Sequence, residues 1–353
     1  MVSNWPAPPE TIAFNITHRC NLRCEYCFEE IGFNATEPSF EEAKDILDQL
    51  NAFGVKEILL EGGEIFLVPY IFDLLEKVID YDFRVHVISN GTLINPEVAD
   101  YLSCLGISIG ISLDGPTPET NIFRGAIAFH KALSAIRMLV DKGMTVYINC
   151  VVTRSNYAHV AQLAKLCHDA GAYGLVLQQL HCSGRANASF FKSNHITIDQ
   201  LTELKIVYKE LAETYPDIYF VNSEVFDFLN ARERYHKVCS YQHEYFPQKI
   251  LRCGAGQRFC VIQPDLSVIP CGILGNFPCG NLKQQSFQEI WHHSEGFNFL
   301  RQMSEYTADM IPGCSKCPIN AICDGGCRGD MYNYSGEWLG THIACPFAEQ
   351  SHI

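Results

Sequence analysis

Between residues 11 and 215 the chain alternates six times between a short apolar run of strand character and a longer segment of helical period. The strand-like runs are Thr11–Thr17, Glu57–Leu60, Arg84–Ser89, Ser108–Leu113, Thr145–Thr153 and Gly174–Leu180. The helical segments are Ser39–Phe53, Pro69–Tyr81, Pro96–Leu105, Phe123–Lys142, Tyr157–Ala170 and Thr197–Thr214. Apolar strands alternating with helices predict an α/β fold, a parallel sheet covered by helices and curled into a full or partial barrel. Ser39 with Glu42 reads as a capping box, and Asn95-Pro96 as a cap followed by proline at the first helical position. Asn156 with His159 marks another expected helix start. Active sites of such barrels lie at the C-terminal ends of the strands, so chemistry is expected just after each one.

The loop after the first strand carries Cys20, Cys24 and Cys27 at the spacing Cys-x3-Cys-x2-Cys. A loop of that length can wrap three sulfurs around one face of a cubic [4Fe–4S] cluster. Such clusters normally take four thiolates, so three leave one iron open to a small molecule. A zinc loop or a disulfide knot is the alternative for three thiols taken alone. The chain holds 17 cysteines, and its N-terminus has neither the charged nor the apolar region of a secretion signal. In a reducing compartment that surplus points to metal or redox chemistry rather than to structural disulfides. A second group comprises Cys253, Cys260, Cys271, Cys314, Cys317, Cys323, Cys327 and Cys345. Eight thiols are the complement of two fully ligated four-iron clusters. Cys104, Cys150 and Cys167 lie in apolar periodic runs and read as small core residues. Cys182, Cys239 and Cys279 have no assigned role.

At 353 residues, one large and one small domain are expected. The net charge of −14 argues against nucleic acid, which needs clustered Lys and Arg. No run of 18 apolar residues exists, so a soluble, cytoplasmic protein without a membrane span is expected.

The first motif resembles the signature of the radical SAM superfamily, whose open iron chelates S-adenosylmethionine, and Tyr26 fits the aromatic that this family sets before the last cysteine. Glu61-Gly62-Gly63-Glu64 resembles the family motif that binds the amino group of the methionyl moiety. By the same resemblance, Ser89 and Asn90 end the third strand where the cofactor is bound. Ser112 and Asp114 match positions near ribose and substrate, and Arg124 can pair with the cofactor carboxylate. Asn149, Val151 and Leu175 lie where the family packs adenine, and Gly184-Arg185-Ala186 also resembles this subgroup. The second cysteine group resembles the SPASM extension. It implies one auxiliary cluster on Cys253, Cys260, Cys271 and Cys327 near the active site. An outer one is implied on Cys314, Cys317, Cys323 and Cys345, which makes three [4Fe–4S] clusters in all. The expected architecture is a partial (β/α)6 TIM-type barrel over residues 8–200, a helical bridge over 201–250, and a small cysteine-rich α+β SPASM domain over 251–353.

The resemblance implies an oxidoreductase that generates a 5′-deoxyadenosyl radical and takes a hydrogen atom from a ribosomally made peptide or protein. The expected product is a new C–C, C–S, C=C or C=O bond, with the auxiliary clusters taking the electron and a flavodoxin- or ferredoxin-type donor supplying the first one. A small-molecule dehydrogenase or decarboxylase acting on a tetrapyrrole side chain or a sugar is the alternative. Sulfatase maturases carry Asp as a candidate base after the cysteine that Cys271 matches, but Gly272 stands here. Asp114, Asp324 or Asp330 are the remaining candidate bases. Only nineteen residues precede Cys20, so recognition by a separate leader-binding protein, or a substrate without a leader, is expected. His181 has no role assigned beyond a substrate contact or a solvated side chain.

Overall fold

In the structure, a computed structural model, residues 6–29, 36–223, 225–226, 253–317, 320, 323, 325–343 and 345 are described. Its frame is a single ten-stranded sheet in the order β10-β9-β8-β1-β2-β3-β4-β5-β6-β7. The six expected strands are present as β1 (Thr11–Thr17), β2 (Glu57–Gly62), β3 (Arg84–Ser89), β4 (Ser108–Ser112), β5 (Thr145–Val152) and β6 (Gly174–Gln179). Each pairs in parallel with the next.

Helices α1 (Phe40–Phe53), α2 (Ile71–Val78), α3 (Pro96–Ser103), α4 (Ala126–Asp141) and α5 (Val160–Asp169) fill the intervals. Their caps follow local chemistry. Ser39 and Glu42 close a reciprocal capping box, and Asn95 accepts from Val98 N ahead of Pro96. Asn156 makes no cap. A 3-10 turn, Tyr157–His159, precedes α5, and the buried Asn156 side chain instead donates to the Asp114 and Val151 carbonyls. Cys104 is also placed differently from expectation. It lies beyond the last buried residue of α3, Leu102, and is exposed, whereas Cys150 and Cys167 are buried.

Three features extend the predicted frame. A short helix, α6 (Ala188–Asn194), capped by Asn187, precedes α7 (Ile198–Thr214). A seventh parallel strand, β7 (Tyr219–Ser223), joins β6 within the stretch read as a helical bridge. The rest of that bridge from residue 227, with Cys239, lies outside the described residues, as does Asp324. Finally, the cysteine-rich segment does not build a sheet of its own. Its strand β8 (Phe259–Ile262) pairs in parallel with β1, and β9 (Ser267–Ile269) and β10 (Gly280–Asn281) continue antiparallel from it. The expected hairpin over 259–271 is present, with Asp265 accepting from Ser267 N at its turn. Its hydrogen bonds hold the cysteine-rich segment against the first strand of the barrel.

Alternate residues of each strand point to opposite sides. Ile12, Phe14, Ile58, Leu60, Ile109, Ile148, Leu175 and Cys260 join the core between sheet and helices. Ala13, Leu59, Phe259, Val261 and Ile269 pack on the concave side, beneath the strand tips.

Candidate active site

A cavity of about 450 Å³ opens over the C-terminal tips of the strands, and Cys20, Cys24 and Cys27 all line it. The loop that carries them is clamped from two sides. Gly63 N donates to Thr17 O at 2.7 Å, and Glu64 N to Arg19 O at 2.8 Å. A β-carbon on Gly62 would strike the Thr17 carbonyl, and one on Gly63 the Arg19 carbonyl. These glycines therefore serve the approach of one backbone to another as well as lining the cavity. From the other side Arg185 N donates to Cys27 O at 2.9 Å, and Arg185 Nε donates to Cys24 O at 2.8 Å. A β-carbon on Gly184, which has φ +56, would meet the carbonyls of Cys27 and Phe28.

The thiols fit an iron–sulfur cluster. Leu22 N and Asn90 Nδ2 lie 3.4 and 3.8 Å from Cys20 Sγ, and such donors to the sulfurs are among the levers that tune a cluster. Burial pushes the Cys27 thiol up to about 11. A thiolate there is costly until a cation joins it. The Arg185 charge acts on Cys27, and Arg185 Nη2 is buried with no hydrogen-bond partner. A donor left over beside the cysteines suits the negative charge of a cluster and its thiolates.

Around the cavity the expected residues divide. Tyr26, Gly62, Gly63, Ser89, Asn90, Ser112, Arg124, Asn149 and Val151 line it. Glu64 does not. It is fully buried below the wall, accepting from Ser89 Oγ at 2.9 Å and Asn90 N at 2.8 Å, and burial raises its carboxyl to about 7. It joins the β2 and β3 tips. Leu175 is also off the wall, because its strand parity sends it into the helix-facing core, and Gln178, Gln179 and Leu180 take the rim instead. Asp114 is not on the wall either. One of its oxygens receives the Tyr26 hydroxyl and Arg124 Nε (2.9 Å), the other receives Val151 N (3.1 Å). With those three donors it positions Tyr26 and Arg124 rather than facing the cavity.

Glu61, which opens the Glu61-Gly62-Gly63-Glu64 motif, stands on the concave face of β2. It lines the cavity, and burial, with the nearby Glu29, raises its carboxyl to about 8. Its position just before two glycines at a strand tip was the available signal.

The second cysteine group is brought together only in part. Cys271 lines the cavity, burial pushes its thiol up to about 12, and the Cys253 charge acts on it. Arg328 is buried, and Cys314, Cys327, Cys323 and Cys253 all bear on its charge. It donates to the carbonyls of Gly340 and Trp338. Cys323 Sγ lies 3.4 Å from Gly325 N. Cys260 is the departure. Its strand neighbours Phe259 and Val261 line the cavity, so Cys260 points the opposite way, into the core with Phe287, Trp291 and Phe297. There it feels Cys279, not Cys271. Its place in the inner ligand set is therefore open.

Asp330 is fully buried and is no free base. It accepts from Cys182 N at 2.8 Å and holds His181 Nδ1 at 3.0 Å and His342 Nε2 at 3.5 Å. These imidazoles hold its carboxyl well below the usual range despite burial. His181 itself lines the cavity.

A second cavity of about 470 Å³ adjoins the first and shares Phe28, Glu29, Gly272 and Ile273 with it. Its wall carries Asn187, Gln263, Asn276 and Asn333, with no Lys or Arg among the described residues. No helix among the described residues is long and apolar enough to cross a membrane.

Comparison with known proteins agrees with this geometry. The radical SAM superfamily matches residues 14–167, and an iron–sulfur cluster-binding domain, SPASM, matches residues 253–318. The chain is similar to an AdoMet-dependent heme synthase of Nitratidesulfovibrio vulgaris, 30% identical over 351 residues that cover 95% of this chain and 92% of that protein. It is also similar to the mycofactocin maturase MftC of Mycobacterium tuberculosis, 30% identical over 333 residues, covering 92% of this chain and 79% of that protein. Among solved structures, Streptococcus suis SuiB bound to the precursor peptide SuiA superposes with a TM-score of 0.78 at 18% identity, covering 97% of this chain and 77% of that one. At that identity the likeness concerns the fold.

Proposed function

Because the chain belongs to the radical SAM superfamily and carries a SPASM iron–sulfur region, we propose that it oxidises a side chain of a ribosomally made peptide or protein, forming a C–C, C–S, C=C or C=O bond. When bound, a reduced cluster on Cys20, Cys24 and Cys27 and S-adenosylmethionine supply a 5′-deoxyadenosyl radical that takes a hydrogen atom from an unactivated carbon. In this reading Arg124, held by Asp114 and backed by the Tyr26 ring at 5.3 Å, presents positive charge to the cofactor carboxylate. The Gly62-Gly63 backbone and Asn90 receive its methionyl end, and Ser112, Asn149 and Val151 form the wall for the nucleoside. Cys253, Cys271 and Cys327 hold an inner auxiliary cluster, and Cys314, Cys317, Cys323 and Cys345 an outer one. A flavodoxin- or ferredoxin-type protein supplies electrons.

One observation carries the peptide reading. The adjoining cavity is walled by amides, by Glu29 and Asp265 and by His18, which is paired with Glu29, and it has no Lys or Arg among the described residues. Amide side chains can satisfy the donors and acceptors of a peptide backbone. A ligand rich in carboxylates calls for cations there. A tetrapyrrole substrate is the second reading, favoured by the 95% of this chain that aligns with the heme synthase.

Native mass spectrometry of the protein purified anaerobically from its own cells separates the two. A bound peptide of a few kilodaltons supports the maturase, and a tetrapyrrole-sized adduct replaces it with the second reading. If the reduced Cys20→Ala/Cys24→Ala/Cys27→Ala protein still cleaves S-adenosylmethionine, the assigned radical centre is wrong.

A further inference from the structure

Arg185 keeps one donor in reserve. Its main-chain N–H and its Nε both serve the cysteine loop, donating to Cys27 O at 2.9 Å and to Cys24 O at 2.8 Å. Its Nη2 is buried and meets no acceptor. Arg19 is paired with Glu37 and Arg124 with Asp114, whereas the Arg185 side chain holds only a carbonyl among the described residues. A buried donor of a charged group is costly to leave unpaired, so its partner is one that the polypeptide does not supply. From this placement we infer that the Arg185 guanidinium donates Nη2–H to a sulfur of the first cluster and sets the reduction potential of that cluster. The inference rests on the assignment of that cluster to Cys20, Cys24 and Cys27 proposed above.

The fold delivers this cation by a tight turn. Ala186 N donates to Ser183 O at 3.0 Å, and Ala186 is fully buried in a small cluster with Cys24, Tyr26 and Phe191. Gly184, at φ +56, lets the turn press on the carbonyls of Cys27 and Phe28, which a β-carbon would strike. The three thiols are not served alike. Cys20 Sγ has the neutral donors Leu22 N and Asn90 Nδ2 near it. Cys24 faces the charge of Arg124, which Asp114 already balances at 2.9 Å. Cys27 faces Arg185, with the Glu29 charge acting against it.

The consequence is electronic. Three thiolates give the cluster site a negative charge, and reduction adds to it. Net charge and hydrogen bonds to the sulfurs are among the levers on a cluster's potential. A fixed guanidinium stabilises the reduced state most, so it raises the potential and lets a weaker electron donor charge the cluster.

The test reads the cluster and needs no turnover. After reduction with dithionite, the first cluster is the EPR signal that changes when S-adenosylmethionine is added. That signal is absent from the Cys20→Ala/Cys24→Ala/Cys27→Ala protein. In wild type grown with arginine carrying 15N only at the guanidino nitrogens, pulsed EPR of this signal should show a weak 15N coupling of hydrogen-bond strength. Arg185→Lys should remove it, although Arg19 and Arg124 stay labelled. Redox titration should show a lowered midpoint in Arg185→Met and Arg185→Gln, the reduction equilibrium shifting about tenfold, or about 59 mV for one electron. Arg185→Lys, which keeps the charge, should stay close to wild type. A role in clamping the loop alone predicts three variants alike, because each loses the Nε donation to Cys24 O.

A coupling that survives in Arg185→Lys would overturn the inference, as would one midpoint shared by wild type and all three variants. Where the variants at 185 hold no first cluster, the labelled wild type decides. A coupling kept in Arg124→Lys then supports the inference, and one that is absent or lost in Arg124→Lys overturns it. A signal responsive to S-adenosylmethionine in the triple cysteine variant would instead remove the cluster assignment, and this inference with it.

Discussion

Arg124 places its Nε 2.9 Å from Asp114 Oδ2, and the pair is largely buried, with Arg124 12% and Asp114 3% exposed at the side chain. The Tyr26 hydroxyl reaches the same carboxylate oxygen. The aromatic before the last cysteine is thereby tied to the tip of the fourth strand. Replacing Asp114 by Ala strands a buried guanidinium. Breaking a buried pair from one side costs about 3 to 5 kcal/mol. Urea denaturation of Asp114→Ala should show a loss of that size, and Asp114→Asn a smaller one. Equal stability in Asp114→Ala would mean that Arg124 finds water on its own.

Gly63 lets two loops touch. A methyl group there overlaps the Arg19 carbonyl, so Gly63→Ala must push the cysteine loop away from β2. Overpacking of this kind costs about 1 to 3 kcal/mol. The iron of the first cluster should fall with it, while auxiliary iron is retained. Iron and sulfide analysis per chain, alongside the melting temperature, checks both. Full iron with an unchanged melting temperature would show that the loop accommodates the methyl.

Glu61 and Glu64 couple stability to pH. Both carboxyls are raised by burial, to about 8 and about 7, so the folded chain binds protons more tightly than the unfolded one. The stability they contribute is complete below the unfolded value of 4.5 and is lost as pH rises through 7 and 8. Each group adds a slope of up to about 1.4 kcal/mol per pH unit in that window. Denaturation of the cluster-free protein between about pH 5 and pH 8 should show wild type weakening more steeply than Glu61→Gln. Identical slopes would mean that Glu61 stays hydrated in the cavity.

Leu266 sits in the β8–β9 turn at φ 69 and is the one non-glycine among the described residues in left-handed backbone. Its side chain is 3% exposed and joins the main core. Glycine would relieve about 1 to 2 kcal/mol of backbone strain, but removing a buried leucine side chain costs about 2 to 5 kcal/mol. Burial wins, so Leu266→Gly should lower the melting temperature. A higher melting temperature would show that strain dominates.

Much of this was legible because it is local. The capping box at Ser39, the Asn95-Pro96 start and the period of each helix depend on residues within one or two turns. The cysteine loop declared itself by spacing. The strand alternation put it at a C-terminal tip, and from there most of the cavity wall could be named. Asn156 misled because an asparagine before a helix fits a cap and a tertiary brace equally well. Cys104 misled because an apolar run continues past the last buried residue of α3.

By itself, the sequence determined the alternating elements, the loop of three thiols at the first strand tip and the family chemistry that goes with it. Only the tertiary structure decided which way the residues of a wholly apolar strand point. Phe259-Cys260-Val261-Ile262 is buried on both faces, so it carries no polar alternation from which a side could be read. Pairing with β1 sets that side, and with it removes Cys260 from the cavity. The same holds for Asp114 and Asp330. A carboxylate shows its readiness as a base only through the donors that surround it. Those donors arrive from 10 to 149 residues away, at distances that only the folded chain defines.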